Sequence, residues 1–83
     1  MITEEFVERA KNIVMTLFKD QEIFRVRLEE LDFDYDNDRY VITISYERLE
    51  GEEEFITSVR IYKQLTLEEE GTRLLSIKEV GSQ

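Results

Sequence analysis

Leu28-Glu29-Glu30-Leu31-Asp32-Phe33-Asp34-Tyr35-Asp36-Asn37-Asp38 is the stretch on which the fold turns. Carboxylates alternate here with apolar side chains, and a period of two places the two sets on opposite faces of an extended strand. Leu31, Phe33 and Tyr35 then face a core, while Asp32, Asp34 and Asp36 face away from it. The preceding residues Phe24, Val26 and Leu28 lie in the other phase, so the pattern slips at Glu29-Glu30. A slip of one residue would turn half of the apolar set to water. A β-bulge at that point keeps both halves on one face.

The following residues agree with this reading. Tyr40, Ile42, Ile44 and Tyr46 alternate with Val41, Thr43, Ser45 and Glu47. A two-residue hairpin turn at Asn37-Asp38 sets Asp36 opposite Arg39, Tyr35 opposite Tyr40, Phe33 opposite Ile42 and Leu31 opposite Ile44. Beyond the bulge Leu28 meets Tyr46 and Arg27 meets Glu47, so apolar residues pair with apolar ones and opposite charges with each other.

Upstream, Phe6, Ala10, Ile13, Val14, Leu17 and Phe18 recur at helical spacing, with Val7 widening the stripe, which predicts a helix over 3–19. Thr3 suits the N-cap, Ile2 can staple onto Val7, Glu4 and Glu5 complement the positive end of the dipole and Lys19 the negative end. In so short a chain the apolar stripe is the helix's share of the only core. Downstream, an acidic loop around Arg48-Leu49-Glu50-Gly51-Glu52-Glu53 leads to a third strand over 54–67. The turn Glu68-Glu69-Glu70-Gly71 leads to a fourth over 72–80. In the third strand Phe55, Val59 and Ile61 share one face and Ile56 and Tyr62 the other.

Connections this short require antiparallel neighbours, because a parallel pair needs a crossover of about a dozen residues. The expected architecture is therefore α+β: an N-terminal helix packed on a four-stranded antiparallel meander, strand order 1-2-3-4. Residues 1–80 form a single domain and 81–83 a frayed tail.

The composition narrows the chemistry. With 20 acids against 11 bases the formal charge is −9, which repels nucleic-acid phosphates and anionic membranes, since both call for a basic footprint. The chain has no cysteine and no histidine. Thiolate nucleophiles, disulfides, the usual general base and the commonest metal ligand are all missing. The N-terminus lacks the basic and apolar regions of a signal peptide, and no segment has the ~20 apolar residues that span a bilayer. The expectation is a cytoplasmic, non-enzymatic protein with no cofactor, no nucleic acid and no membrane among its partners.

Two surfaces are candidates for partner binding. One helix covers one side of a four-stranded sheet, so the other side carries Val41, Ile56, Tyr62 and Leu74 among Thr43, Ser45, Ser58 and Arg60; Val41, Ile56 and Tyr62 are the apolar anchors for a partner or a homodimer. In a meander the first and third turns lie at the same end, which brings Asp34, Asp36 and Asp38 toward Glu68, Glu69 and Glu70 and points to a basic protein partner. The competing reading gives these carboxylates to a divalent cation, as a metal-binding sensor or enzyme accessory. Asp-x-Asp-x-Asp resembles the start of a calcium loop, but from Asp34 the sixth position is Arg39 instead of glycine and the twelfth Ser45 instead of glutamate. From Asp32 these positions are Asn37 and Thr43. Paired acids can also act as acid and base, but only in a pocket that separates their pKa values, and acids on a solvated strand face have similar surroundings.

Tyr40-Val41-Ile42-Thr43-Ile44-Ser45-Tyr46, then Tyr62-Lys63, Gly71 and Leu74-Leu75-Ser76-Ile77-Lys78, resemble the second half of a group of short uncharacterised bacterial proteins. Those proteins carry an aromatic, Val/Ile-Thr-Leu-Ser, an aromatic, then Tyr-Lys, an acidic turn with glycine and Val/Leu-Ser-Met/Ile-Lys. The helix-then-meander order is also similar to PepSY and cystatin-like domains, a likeness that implies a regulatory protein-binding part. This chain departs from them in having no export signal, in carrying Glu68-Glu69-Glu70-Gly71-Thr72 where Asp-x-x-Thr-Gly is usual, and in a longer, more acidic loop after the second strand.

Overall fold

The computed structural model describes residues 4–68 and 73–81. Helix α1 spans Glu4–Leu17 and a 3-10 turn Lys19–Gln21. The strands are β1, Phe24–Asp34; β2, Arg39–Glu50; β3, Thr57–Glu68; and β4, Leu74–Val80. They form one antiparallel sheet in the order β1-β2-β3-β4, which is the expected α+β meander. No described helix is long and apolar enough to cross a membrane.

The core lies between the helix and one face of the sheet. Ala10 and Val14 from α1 meet Ile42, Ile44, Tyr46, Leu65 and Leu67, all buried, with Phe6, Ile13, Phe18, Leu28, Leu31, Tyr40, Leu74 and Ile77 packed around them. Aromatic rings tie the helix ends to β2: Phe6 lies 4.7 Å from Tyr40, and Phe18 stacks at 5.7 Å on Tyr46. Lys63 is the one cation in β3's helix-facing row. Its ammonium is 4.8 Å from the Phe18 ring and 3.1 Å from Glu79, so its charge is matched where its stem is buried.

The bulge sits where the phase slips. The register breaks between Leu28 and Glu30, and Leu28 and Leu31 both pack on the core. A second break, between Phe24 and Arg27, accompanies a left-handed Arg25 (φ 50°) that the sequence pattern does not signal. The hairpin register differs from expectation. Phe33 lies opposite Tyr40 instead of Ile42, and Leu31 opposite Ile42 instead of Ile44. The turn takes in residues 35–38 because the Asp34 carboxylate accepts the backbone N–H groups of Asp36 (3.1 Å) and Asn37 (3.3 Å) and the Asn37 amide (2.9 Å), while Asp38 supplies a left-handed φ of 53°. The displacement is two residues, an even number, so every side chain keeps its face.

Other boundaries move for local reasons. The helix ends at Leu17, and Lys19 falls in the 3-10 turn, because Glu22 takes a left-handed conformation that redirects the chain into β1. Leu17 is 53% exposed and Tyr35 83% exposed, against their expected core places; Tyr35 lies in the turn with its ring 4.9 Å from Phe33. Glu53–Phe55 form a 3-10 turn, so β3 begins at Thr57 and Phe55 lies outside the sheet. Leu74 pairs with Leu67 and packs on the core, not on the uncovered face. The Thr3 cap, the Ile2 staple, the turn glycine Gly71, Thr72 and the tail residues Ser82 and Gln83 lie outside the described residues.

Candidate functional site: a projecting arm and the charged face at its base

β2 and β3 are longer than their neighbours, and this difference makes the site. β1 pairs with β2 only as far as Glu47, and β4 pairs with β3 only as far as Tyr62. Among the described residues, 48–50 and 57–59 therefore pair only with each other across the β2–β3 ladder, as a two-stranded arm that contributes to a 48 × 22 × 19 Å molecule. A two-stranded ribbon with no third layer is marginally stable by itself.

The arm's end is apolar and acidic together. Leu49 (62% exposed), Phe55 (82%) and Ile56 (53%) stand in water beside Glu50, Glu52, Glu53 and Glu54. The turn is built on Gly51 at φ 120° and on the 3-10 segment, where the Phe55 N–H donates to the Glu52 carbonyl at 2.7 Å. The alternation rule carried Phe55 and Ile56 into the third strand. The signal that places them at the tip is the run of acids after a glycine, which disfavours continued pairing.

At the arm's base, on the face opposite the helix, the sheet carries a charged lattice. Arg60 donates to Ser45 Oγ (2.7 Å) and to Glu47 (2.8 Å); Arg25 reaches the same Glu47 at 3.3 Å; Arg27 Nε donates to Glu29 (2.7 Å), which also accepts from Ser45 Oγ. The Arg60 and Glu47 side chains are only 18% and 15% exposed. Ser45 and Thr43 are buried on this helix-free face, and no buried side-chain nitrogen or oxygen among the described residues lacks a partner. Three arginines and two glutamates leave this lattice with one net positive charge, on a chain of formal charge −9. The lattice closes over the middle of the sheet, so the face is roofed by polar side chains.

The expected anchors separate. Val41 and Tyr62 are half-buried and lie opposite Thr66 and Ser45, while Ile56 is at the arm's end. At the opposite end of the sheet, Asp34, Arg39 and Glu68 form one cross-strand row, and Arg73 lies 3.5 Å from Glu68. Cations thus interleave the acids there; Asp36 and Asp38 are exposed in the turn, and Glu69 and Glu70 lie outside the described residues. Among the described residues no group of three or more acids is arranged to hold a metal ion.

Several carboxylates titrate away from their ordinary range. The Ser45 hydroxyl and Arg27 hold Glu29 low. Burial pushes Glu47 up, but Arg25, Arg60 and Ser58 outweigh it and leave it low. Asn37 holds Asp34 low, and a side-chain hydrogen bond with Asp32, followed by its charge, raises Glu30. A carboxylate whose folded pKa is depressed contributes stability above its unfolded pKa and loses it as the pH falls through the folded value. Glu30 has the opposite sign and is outnumbered. The thermal midpoint is therefore expected to fall as the pH drops through and below the ordinary carboxylate range, with a shallower fall in Glu29→Gln. A wild-type midpoint that stays level over that range would contradict the lattice.

The fold and site together define a small α+β domain with a projecting two-stranded arm, apolar and acidic at its end and arginine-rich at its base. Comparison with protein-family models, with curated proteins and with solved structures finds no match.

Proposed function

We propose that this chain is a non-catalytic protein-binding module that engages its partner with the end of the β2–β3 arm. The observation that carries this reading is the exposure of Leu49, Phe55 and Ile56 together on a ribbon without a core of its own. Apolar anchors ringed by polar groups are the usual make-up of a binding hot spot. The surrounding Glu50, Glu52, Glu53 and Glu54 suit a partner whose apolar groove is rimmed by lysine or arginine, and would speed its approach at low salt. The acids of the opposite turn, Asp36 and Asp38, add to the same long-range field and make no part of the contact.

The test is affinity capture from a native extract with the wild type and with Phe55→Ser/Ile56→Ser, at low and high salt. The expected result is a stoichiometric, salt-sensitive partner that the wild type retains and the double variant loses, with both proteins equally folded by circular dichroism. Equal recovery by both would overturn the arm as the contact.

A further inference from the structure

Phe24, Glu47 and Arg60 form the row at which the arm leaves β1. Within the described residues, 48–50 and 57–59 pair only with each other beyond it. A two-stranded ribbon twists more freely than a wider sheet, so whatever fixes the arm's direction must act at this row.

Three strands contribute side chains there. Arg60 of β3 lays its guanidinium back toward the sheet. One nitrogen donates to Glu47 at 2.8 Å and the other to Oγ of Ser45 at 2.7 Å, a fully buried residue two places deeper in β2. Arg25 of β1 donates to both oxygens of the same Glu47 at 3.3 and 3.4 Å, and its carbonyl accepts from Arg60 at 3.4 Å. Glu47 thus lies between two planar guanidinium groups, whose several donors fix its orientation more closely than a lysine could.

Arg25 is in place only because its backbone is strained. Phe24 is the direct partner of Glu47, so the two share a face, and regular alternation would send the next residue, Arg25, to the other side of the sheet. Instead Arg25 takes φ 50°, a left-handed conformation that is unfavourable for a residue with a Cβ, in the break of register between Phe24 and Arg27. The turn brings it back to the side of Glu47, where its guanidinium also lies 5.4 Å from the Phe24 ring. Strain of this kind persists only where surrounding contacts offset it, and the contacts that Arg25 gains are those to Glu47, Arg60 and Phe24.

We infer that Arg25, Glu47 and Arg60 form a clasp that sets the direction of the β2–β3 arm relative to the sheet, with Arg25 as its positioning residue. Opening the clasp leaves the core on the helix side untouched and frees the ribbon to swing about the Glu47–Arg60 pair. The consequence for binding rests on the proposed role of the arm's end: a held arm presents Phe55 and Ile56 in one orientation, whereas a free one must be ordered by the partner, which weakens binding.

Amide hydrogen exchange of the chain alone tests the clasp, because it reads local opening residue by residue. Arg25→Asn supplies a residue that tolerates the left-handed conformation and is too short to reach Glu47. Glu47→Gln keeps the shape of the side chain and removes its charge. In both variants the paired amides of 48–50 and 57–59 are expected to exchange about tenfold faster, as the loss of a charge-assisted hydrogen bond predicts, with those of Ile42 and Leu65 little changed. The urea midpoint of Arg25→Asn should stay level or rise, since the substitution eases strain while it loosens the arm. A uniform acceleration with a lower midpoint would make the cluster a general source of stability and overturn the clasp. Arm amides unchanged in Arg25→Asn would overturn it too. These rates are measured without a partner, and capture by Phe55 and Ile56 is measured without them, so the two readings fail separately.

Discussion

Ile42→Asp is expected to leave the chain unfolded at neutral pH. Ile42 is fully buried in the middle of β2, in a cross-strand row of Leu31, Ile42, Leu65 and Ile77. That row offers no cation and no hydrogen-bond donor to a carboxylate, so the substitution loses apolar burial and adds an unpaired charge or a forced protonation. The cost is about 4–5 kcal/mol or more, against a total stability of about 4–12 kcal/mol for a domain of this length. Ile42→Val, which removes one methylene and no more, should cost about 1 kcal/mol. Leu31→Asp lies in the same row but at a half-buried position, and its effect should be smaller. Circular dichroism and urea unfolding of the three variants give the ranking. A cooperative transition for Ile42→Asp at the wild-type midpoint would refute the observed register of β1, β2 and β3.

Gly51→Val should break the arm while leaving the core in place. Gly51 has φ 120°, and a Cβ there would lie 2.1 Å from the Phe55 carbonyl oxygen, a backbone atom that side-chain rotation cannot move. Any L-residue must therefore both leave its preferred backbone region, at about 1–3 kcal/mol, and push the 3-10 segment away. The core lies on the far side of Glu47 and Arg60, where four strands are paired, so global stability should fall only by an amount of that order. The expected observation is a set of displaced amide resonances confined to residues 48–59, with those of Ile42 and Leu65 unmoved and partner capture lost. Unchanged arm resonances would mean that the tip does not depend on the left-handed turn.

Much of the fold was legible in alternation. The phase slip at Glu29-Glu30 located a bulge, because a buried face tolerates no odd shift, and the short connections between strands left an antiparallel meander as the only economical order. The hairpin register was not legible to the residue. Displacements of two leave every face unchanged, so the apolar pattern cannot choose between them, and the choice fell to the Asp34 carboxylate closing a longer turn.

The candidate site was the less legible part. Val41 and Tyr62 were placed on the helix-free face correctly, but the sequence did not show that Arg25, Arg27, Arg60, Glu29 and Glu47 would interlock over Ser45 and close that face. Nor did it separate the acids Asp34 and Glu68 by Arg39, since cross-strand neighbours are distant in the chain. The periodicity of side chains determined the helix, the four strands and the faces that most of their residues bury, and the short connections determined the strand order. Only the tertiary structure decided that β2 and β3 outrun β1 and β4, because the length of a strand's pairing depends on where its neighbours turn away. That mismatch puts Leu49, Phe55 and Ile56 into water.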